Sequence, residues 1–212
     1  MTMPSFDAEF RTKLQELFTW RRDVRHFKTD PLPPDALDRL LAIADQAPSV
    51  GLSQPWRFVL VEKDAPRAAI RSSFEVHNKA ALDGLDGDRA ELYATLKLAG
   101  LDQAPVHLAV FCDPDPDQGG GLGRQTMPET LDFSAVGAIQ TLWLAARAEG
   151  IGLGWLSILN PDDVSDALDV PKDWRFIAYL CIGYPQQETD TPELERAGWE
   201  HRSPLSQRIF RR

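Results

Sequence analysis

The stretch RRDVR, residues 21–25, sets three guanidinium groups and one carboxylate within five residues, directly after an amphipathic segment. Arginine's planar fork of donors matches phosphate oxygens better than any other side chain. Asp23 is harder to explain by solubility alone. The run reads in two ways: as a solvated charge cluster, or as a grip for a phosphorylated ligand with a working carboxylate beside it. Two further stretches combine small and polar residues. APSVGLSQPW, residues 47–56, lets backbone N–H groups approach a ligand, and Ser49, Ser53 and Gln54 add donors. It is equally a loop with a tight turn. GLGWLS, residues 152–157, offers two glycines for close backbone approach in a strand. Strand alternation points the Ser157 hydroxyl away from the face shared by Leu156 and Ile158. A serine bonded to nearby backbone fits the same pattern.

Other chemistries lack support. His26, His77, His107 and His201 lie far apart, and neither HExxH nor CxxC occurs, so no metal site is expected. GWLSIL around Ser157 is not a GxSxG elbow. The glycines at 119–123 lack dinucleotide-fingerprint spacing, and no GK[ST] follows them; they read as flexible linker. With a net charge of −9 the chain is unsuited to general nucleic-acid binding, which makes a basic cluster within it more notable. Cys112 and Cys181 each sit in an apolar run, as buried thiols suited to a reducing cytoplasm; a disulfide between them stays open. MTMPSFDAEFRTK lacks the apolar core of a signal peptide, and no apolar run approaches the ~20 residues of a membrane helix. A cytoplasmic location is the expectation.

These residues need elements to position them. Phe6, Phe10, Leu14, Leu17 and Phe18 recur at helical spacing and lead into RRDVR. Asp35 is placed to cap a second helix that carries Leu37, Leu40, Leu41 and Ala44 and stops near Pro48. Strands are expected at 56–62, 106–112, 152–159 and 176–183. Residues 65–100 are helical in pattern, broken by GLDGD at 84–88, which is either a plain loop or part of a mobile lid. Residues 130–150 form the strongest helix, apolar around most of its surface, which suits either a monomer core or a dimer interface. Asn160 and Pro161 start a short helix ending near Val170, and the tail from Tyr184 reads as extended. The 212 residues, 43% hydrophobic and 26% charged, thus make one α+β or α/β domain over 1–212, with four or five strands flanked by helices.

Taken in order, RRDVRHF, APSVGLSQPWRF, TMPETLDFSAVGAIQTLWLAARAEGIGLGWLSIL and ELERAGWEHR resemble the FMN-dependent nitroreductase superfamily over about residues 18–202, and most of all its 5,6-dimethylbenzimidazole synthase branch. Most members of the superfamily have Ser where Asp23 stands and Asn where Leu52 stands. The first change adds a carboxylate beside the flavin and the second removes a polar side chain near the ring; both fit a changed use of the flavin. The resemblance implies an α+β fold with a mostly antiparallel sheet, in a homodimer with exchanged terminal segments and an FMN site at each of two subunit interfaces. It places Arg21, Arg22, Arg25 and Arg202 on the phosphate and ribityl chain, with Val24 in the same segment. Ser49, Ser53 and Gln54 would line the site, and Gly154 and its neighbours would approach the ring.

The same resemblance implies that reduced FMN is the substrate and O2 the co-substrate. The flavin would be cleaved to 5,6-dimethylbenzimidazole with loss of erythrose 4-phosphate, and NAD(P)H would act only through a separate flavin reductase. Asp23 is the expected proton-transfer group, kept ionised by the flanking arginines, and Ser157 the second catalytic candidate. Residues 79–104 are expected to cover the pocket. Two alternatives remain: an NAD(P)H-dependent nitroreductase or flavin reductase that keeps its flavin, and a flavin-binding protein without turnover.

Overall fold

The computed structural model describes residues 4–96 and 99–212. Its centre is a four-stranded sheet in the order β1-β2-β4-β3, from β1 (Trp56–Leu60), β2 (Val106–Cys112), β3 (Gly152–Leu156) and β4 (Arg175–Gly183), every pair antiparallel. The α+β expectation with a mostly antiparallel sheet therefore holds. β2 and β4 are buried over most of their length because both sheet faces are covered, which is why they read as largely apolar runs. β3 is shorter than expected and stops at Leu156, so Ser157 lies just past the strand and is exposed.

The helices are α1 (Ala8–Trp20), α2 (Ala36–Ala44), α3 (Asp64–Asp83), α4 (Gly87–Thr95), α5 (Gly100–Gln103), α6 (Thr130–Ala148), α7 (Pro161–Leu168) and α8 (Glu193–Arg196). α6 and α2 pack on one face of the sheet, where Leu40, Ala44, Ile139, Leu142 and Ala146 meet Leu108, Val110, Leu153 and Leu180. On the other face Ile70 of α3 and Val164 of α7 meet Phe27, Phe111 and Tyr179. Asn160 caps α7 as its sequence implies, its side chain accepting from Asp162 N at 2.9 Å with Pro161 in the first turn. Asp35 does not act as expected: it sits at the start of α2 without a side-chain cap bond and pairs with Arg39 instead. The tail beyond Tyr184 is not simply extended, since α8 and a 3-10 turn at Leu205–Arg208 interrupt it.

Both cysteines are free and buried. Among the described residues no helix is long and apolar enough to cross a membrane. α1 buries none of its residues, and Phe10, Leu14 and Phe18 stay exposed along it. α6, otherwise core, exposes Phe133 and Val136.

The second core contains one polar pair. His107 of β2 is buried, with Nδ1 2.8 Å from the Tyr179 hydroxyl of β4, and its Nε2 finds no partner among the described residues. Burial, reinforced by the Arg67 charge, holds the imidazole pKa down to about 4. An unfolded histidine titrates near ~6.5, so as pH falls the unfolded chain takes up the proton first. Stability from this site is therefore full above about pH 6.5 and is lost progressively down to about pH 4, with a slope approaching ~1.4 kcal/mol per pH unit. Urea midpoints measured from pH 7 to pH 4 should show this loss, and His107→Gln should flatten it. An unchanged slope in the variant would assign the acid sensitivity to other groups.

Candidate functional site

RRDVR runs along the free edge of β3. Asp23 and Leu153 form a parallel bridge, and Val24 N donates to Leu153 O at 3.1 Å. Phe27 anchors the downstream end: it is fully buried, bridges to Pro185, and its N–H donates to Gln103 Oε1 at 3.0 Å. Close approach of the segment to β3 depends on the two glycines of that strand. A Cβ on Gly152 would meet Val24 Cγ2 at 2.8 Å, and one on Gly154 would collide with the Val24 carbonyl oxygen. The sequence reading gave Gly154 to the ring of a ligand; in the fold its missing side chain first makes room for the arginine segment.

The segment borders a cavity of about 560 Å³ lined by Arg21, Arg22, Asp23, Arg25, Trp143 and Glu193 together with neighbouring residues of α6 and the tail. Trp143 of α6 holds the segment from below, since its Nε1 donates to Arg22 O at 3.2 Å and its ring lies 4.7 Å from the Arg21 guanidinium. Arg22 donates to Thr19 O, while its Nε is buried and finds no partner among the described residues. Burial lowers the pKa of both Arg21 and Arg22, and the nearby Arg202 charge lowers both further, so Arg202 reaches the same cluster from the tail. Asp23 offsets part of this for Arg21, and Asp190 and Glu195 offset part of it for Arg22, yet burial and mutual repulsion outweigh them.

Asp23 is fixed by the backbone of β3: Trp155 N donates to its Oδ1 at 2.9 Å. Oδ2 lies 3.8 Å from Arg25 Nε. The expectation that the arginines dominate its ionisation is corrected here. Desolvation raises the Asp23 pKa and outweighs the lowering by the Trp155 N–H, Arg25 and Arg21, while Glu193 adds to the rise. Its side chain is still 40% accessible, so desolvation is partial. A narrow crevice between Asp23, Arg25, Gly100, Leu101, Gly154, Trp155, Leu156 and Cys181 continues from this point. Ser157 follows Leu156 directly in sequence but lines neither cavity.

The second group of expected residues lies elsewhere. Ser49, Ser53 and Gln54 form the turn between α2 and β1, on the sheet edge opposite β3. Three strand spacings, about 14 Å, separate those edges. The turn is strained, with positive φ at Gly51 (58°), Leu52 (55°) and Gln54 (42°). Ser49 Oγ accepts from Gln54 N at 3.0 Å, Gln54 Nε2 donates to Asp45 Oδ1 at 3.2 Å, and the buried Ser53 hydroxyl has no partner among the described residues. Ser53 and Gln54 line a separate polar cavity of about 620 Å³. The glycine-rich stretch read as linker packs directly on this turn: a Cβ on Gly119 would lie 2.8 Å from Gly51 O, and Gln118 Nε2 donates to Gln54 Oε1 at 3.0 Å.

Sequence reasoning missed Trp143, Arg147, Glu188 and Glu193. Trp143 and Arg147 are one helical turn apart on α6, and both face the cavity. That spacing was the available signal, obscured by the apolar character of the helix. Arg147 pairs with Glu188 through two bonds of 2.9 and 3.1 Å. Of the cover expected at 79–104, residues 97 and 98 lie outside the described set. α4 reaches the tail, where Arg89 and Tyr93 lie against Trp199. Among the described residues no cluster of His, Cys, Asp and Glu is arranged to hold a metal.

This arrangement accompanies clear relationships to known proteins. The nitroreductase family model matches residues 18–184, and the chain belongs to the nitroreductase family. It is 57% identical over 203 residues to a protein of Rhodospirillum rubrum named 5,6-dimethylbenzimidazole synthase, covering 96% of each chain. A protein of the same name from Rhodobacter capsulatus is 51% identical, with 94% of this chain and 97% of that one covered. Among solved structures, oxidised iodotyrosine deiodinase bound to FMN and 3-iodo-L-tyrosine superposes with a TM-score of 0.69 at 27% identity, over 83% of this chain and 91% of that one.

Proposed function

We propose that this protein converts reduced FMN and O2 to 5,6-dimethylbenzimidazole, the lower ligand of cobalamin, releasing erythrose 4-phosphate from the ribityl chain. The names of the R. rubrum and R. capsulatus relatives support the product. The observation that carries the reading is the Asp23 carboxylate, held by the Trp155 N–H at the edge of an arginine-lined cavity. An enzyme that only shuttles hydride through its flavin has no need of a carboxylate there. Fragmentation of a ribityl-bearing ring does need proton transfers at hydroxyls and ring nitrogens.

The residues present fit FMN. Arg22 Nε, without a partner among the described residues, and the partly desolvated Arg21 suit a phosphate, with Arg25 and Arg202 adding charge. Held there by Arg21, Arg22 and Arg25, reduced FMN would supply the electrons for O2 and the dimethylated ring and one ribityl carbon of the product, its pyrimidine portion leaving as a separate fragment beside erythrose 4-phosphate. Asp23 accepts the proton, and its raised pKa makes it a stronger base than a solvated aspartate. Ser157 stands as the second candidate hydrogen-bond donor, although within one chain it lines neither cavity, and Trp143 would keep RRDVR seated while the phosphate is held.

The chain acts as a homodimer. Within one chain the arginine segment and the Ser53–Gln54 turn lie on opposite sheet edges, so a partner subunit is needed to bring such groups to one ligand. The exposed apolar residues of α1 and α6 supply the surface for that association.

Incubation with FMN, NADH, a separate flavin reductase and air, followed by chromatography, tests the function. Dimethylbenzimidazole should form, and omitting the reductase should nearly abolish it. Sustained NADH oxidation without the reductase, with FMN retained, would instead indicate a flavin reductase. No turnover in either arm would indicate a flavin-binding protein.

A further inference from the structure

Asp23 and Glu193 compete for one cation. Arg25 Nε lies 3.8 Å from Asp23 Oδ2 and 4.0 Å from Glu193 Oε2, and the Arg25 side chain is only 13% accessible. Among the described residues the guanidinium makes no hydrogen bond, so neither carboxylate holds it outright. Glu193 comes from α8, more than 160 positions away in sequence, and lines the same cavity as Asp23 and Arg25.

We infer that Glu193 is a positioning residue of this site: by sharing Arg25 with Asp23 it leaves the Asp23 carboxylate less neutralised, and so a stronger proton acceptor than an exclusive pair with Arg25 would allow. The inference rests on the assignment of Asp23 to proton transfer. Two carboxylates facing one guanidinium cannot both be fully compensated, and the second acts on the first as a like charge. The direction agrees with the Glu193 charge pushing the Asp23 carboxyl up while Arg25 pulls it down. The other groups facing Asp23 are Arg21 on its own segment, the Trp155 N–H of β3 and the Cys181 thiol of β4. Burial pushes that thiol up to about 12, which leaves it uncharged near neutral pH. Tyr93 of α4 faces Arg25, and its own pKa is raised by burial, so it too is neutral there. Glu193 is therefore the only other anion near Asp23 among these groups. The sharing also leaves Arg25 donors available to a phosphate.

The test follows the Asp23 carboxyl by 13C NMR titration of the flavin-free protein, its signal identified by loss in Asp23→Asn. Glu193→Gln removes the charge and keeps the shape, and Glu193→Asp keeps the charge. In Glu193→Gln the Asp23 titration should move to lower pH, and the acidic limb of the rate of dimethylbenzimidazole formation should move the same way. Glu193→Asp should restore both toward wild type. An Asp23 titration unmoved in Glu193→Gln would overturn the inference. A moved titration with an unmoved rate profile would uphold the coupling while removing Asp23 as the proton acceptor.

Discussion

Replacing Asp23 with Asn is expected to leave FMN binding nearly intact and to cut dimethylbenzimidazole formation by about 10²- to 10⁴-fold, the usual contribution of a positioned acid or base. Asparagine keeps an oxygen where Trp155 N donates, so the RRDVR backbone should hold its place on β3. Proton affinity is lost, together with the negative charge beside Arg25. The wild-type enzyme should fail on the acid side, because a carboxyl with a raised pKa loses its base form sooner as pH falls. FMN fluorescence titration and chromatographic product analysis on the same variant separate binding from chemistry. Normal yield with normal binding would remove Asp23 from the mechanism.

Gly154→Ala should have the second largest effect. The added methyl would collide with the Val24 carbonyl oxygen, which is backbone and cannot rotate aside. Either β3 or the arginine segment must move, and with it the bond from Val24 N to Leu153 O and the one from Trp155 N to Asp23. Overpacking of this kind costs about 1–3 kcal/mol of stability. Loss of FMN affinity should accompany it, since Arg21, Arg22 and Arg25 ride on the displaced backbone. Gly84→Ala, where a methyl would meet only ordinary contacts at 3.6 Å, serves as the control. Wild-type stability and FMN affinity in Gly154→Ala would show that the segment does not depend on close contact with β3.

The elements governed by local signals were legible. β2 has the expected bounds because a run of seven residues, apolar except for His107, ends at Asp113, and α7 begins at Pro161 because Asn160 and Pro161 together make a helix start. Where a local rule met a competing partner it failed. Asp35 pairs with Arg39 rather than capping α2, and Ser157 falls outside β3 because pairing with β4 ends at Leu156 and Tyr179. The arginine cluster was visible as a charge pattern, but its electrostatics were not. Sequence counts the charges around Asp23 and cannot count the burial that outweighs them. Nor does chain order reveal sheet order: Ser53 and Gln54 look like neighbours of RRDVR in sequence and lie across the sheet from it. Glu188 and Glu193 were hidden in a tail whose composition suggested only an extended run.

The flavin should be consumed rather than retained. The most direct measurement mixes equal amounts of protein and photoreduced FMN, admits air once, and quantifies both FMN and dimethylbenzimidazole by chromatography. Photoreduction removes any dependence on a reductase. Dimethylbenzimidazole should appear in amounts equal to the FMN lost. Full recovery of oxidised FMN with no dimethylbenzimidazole would contradict it.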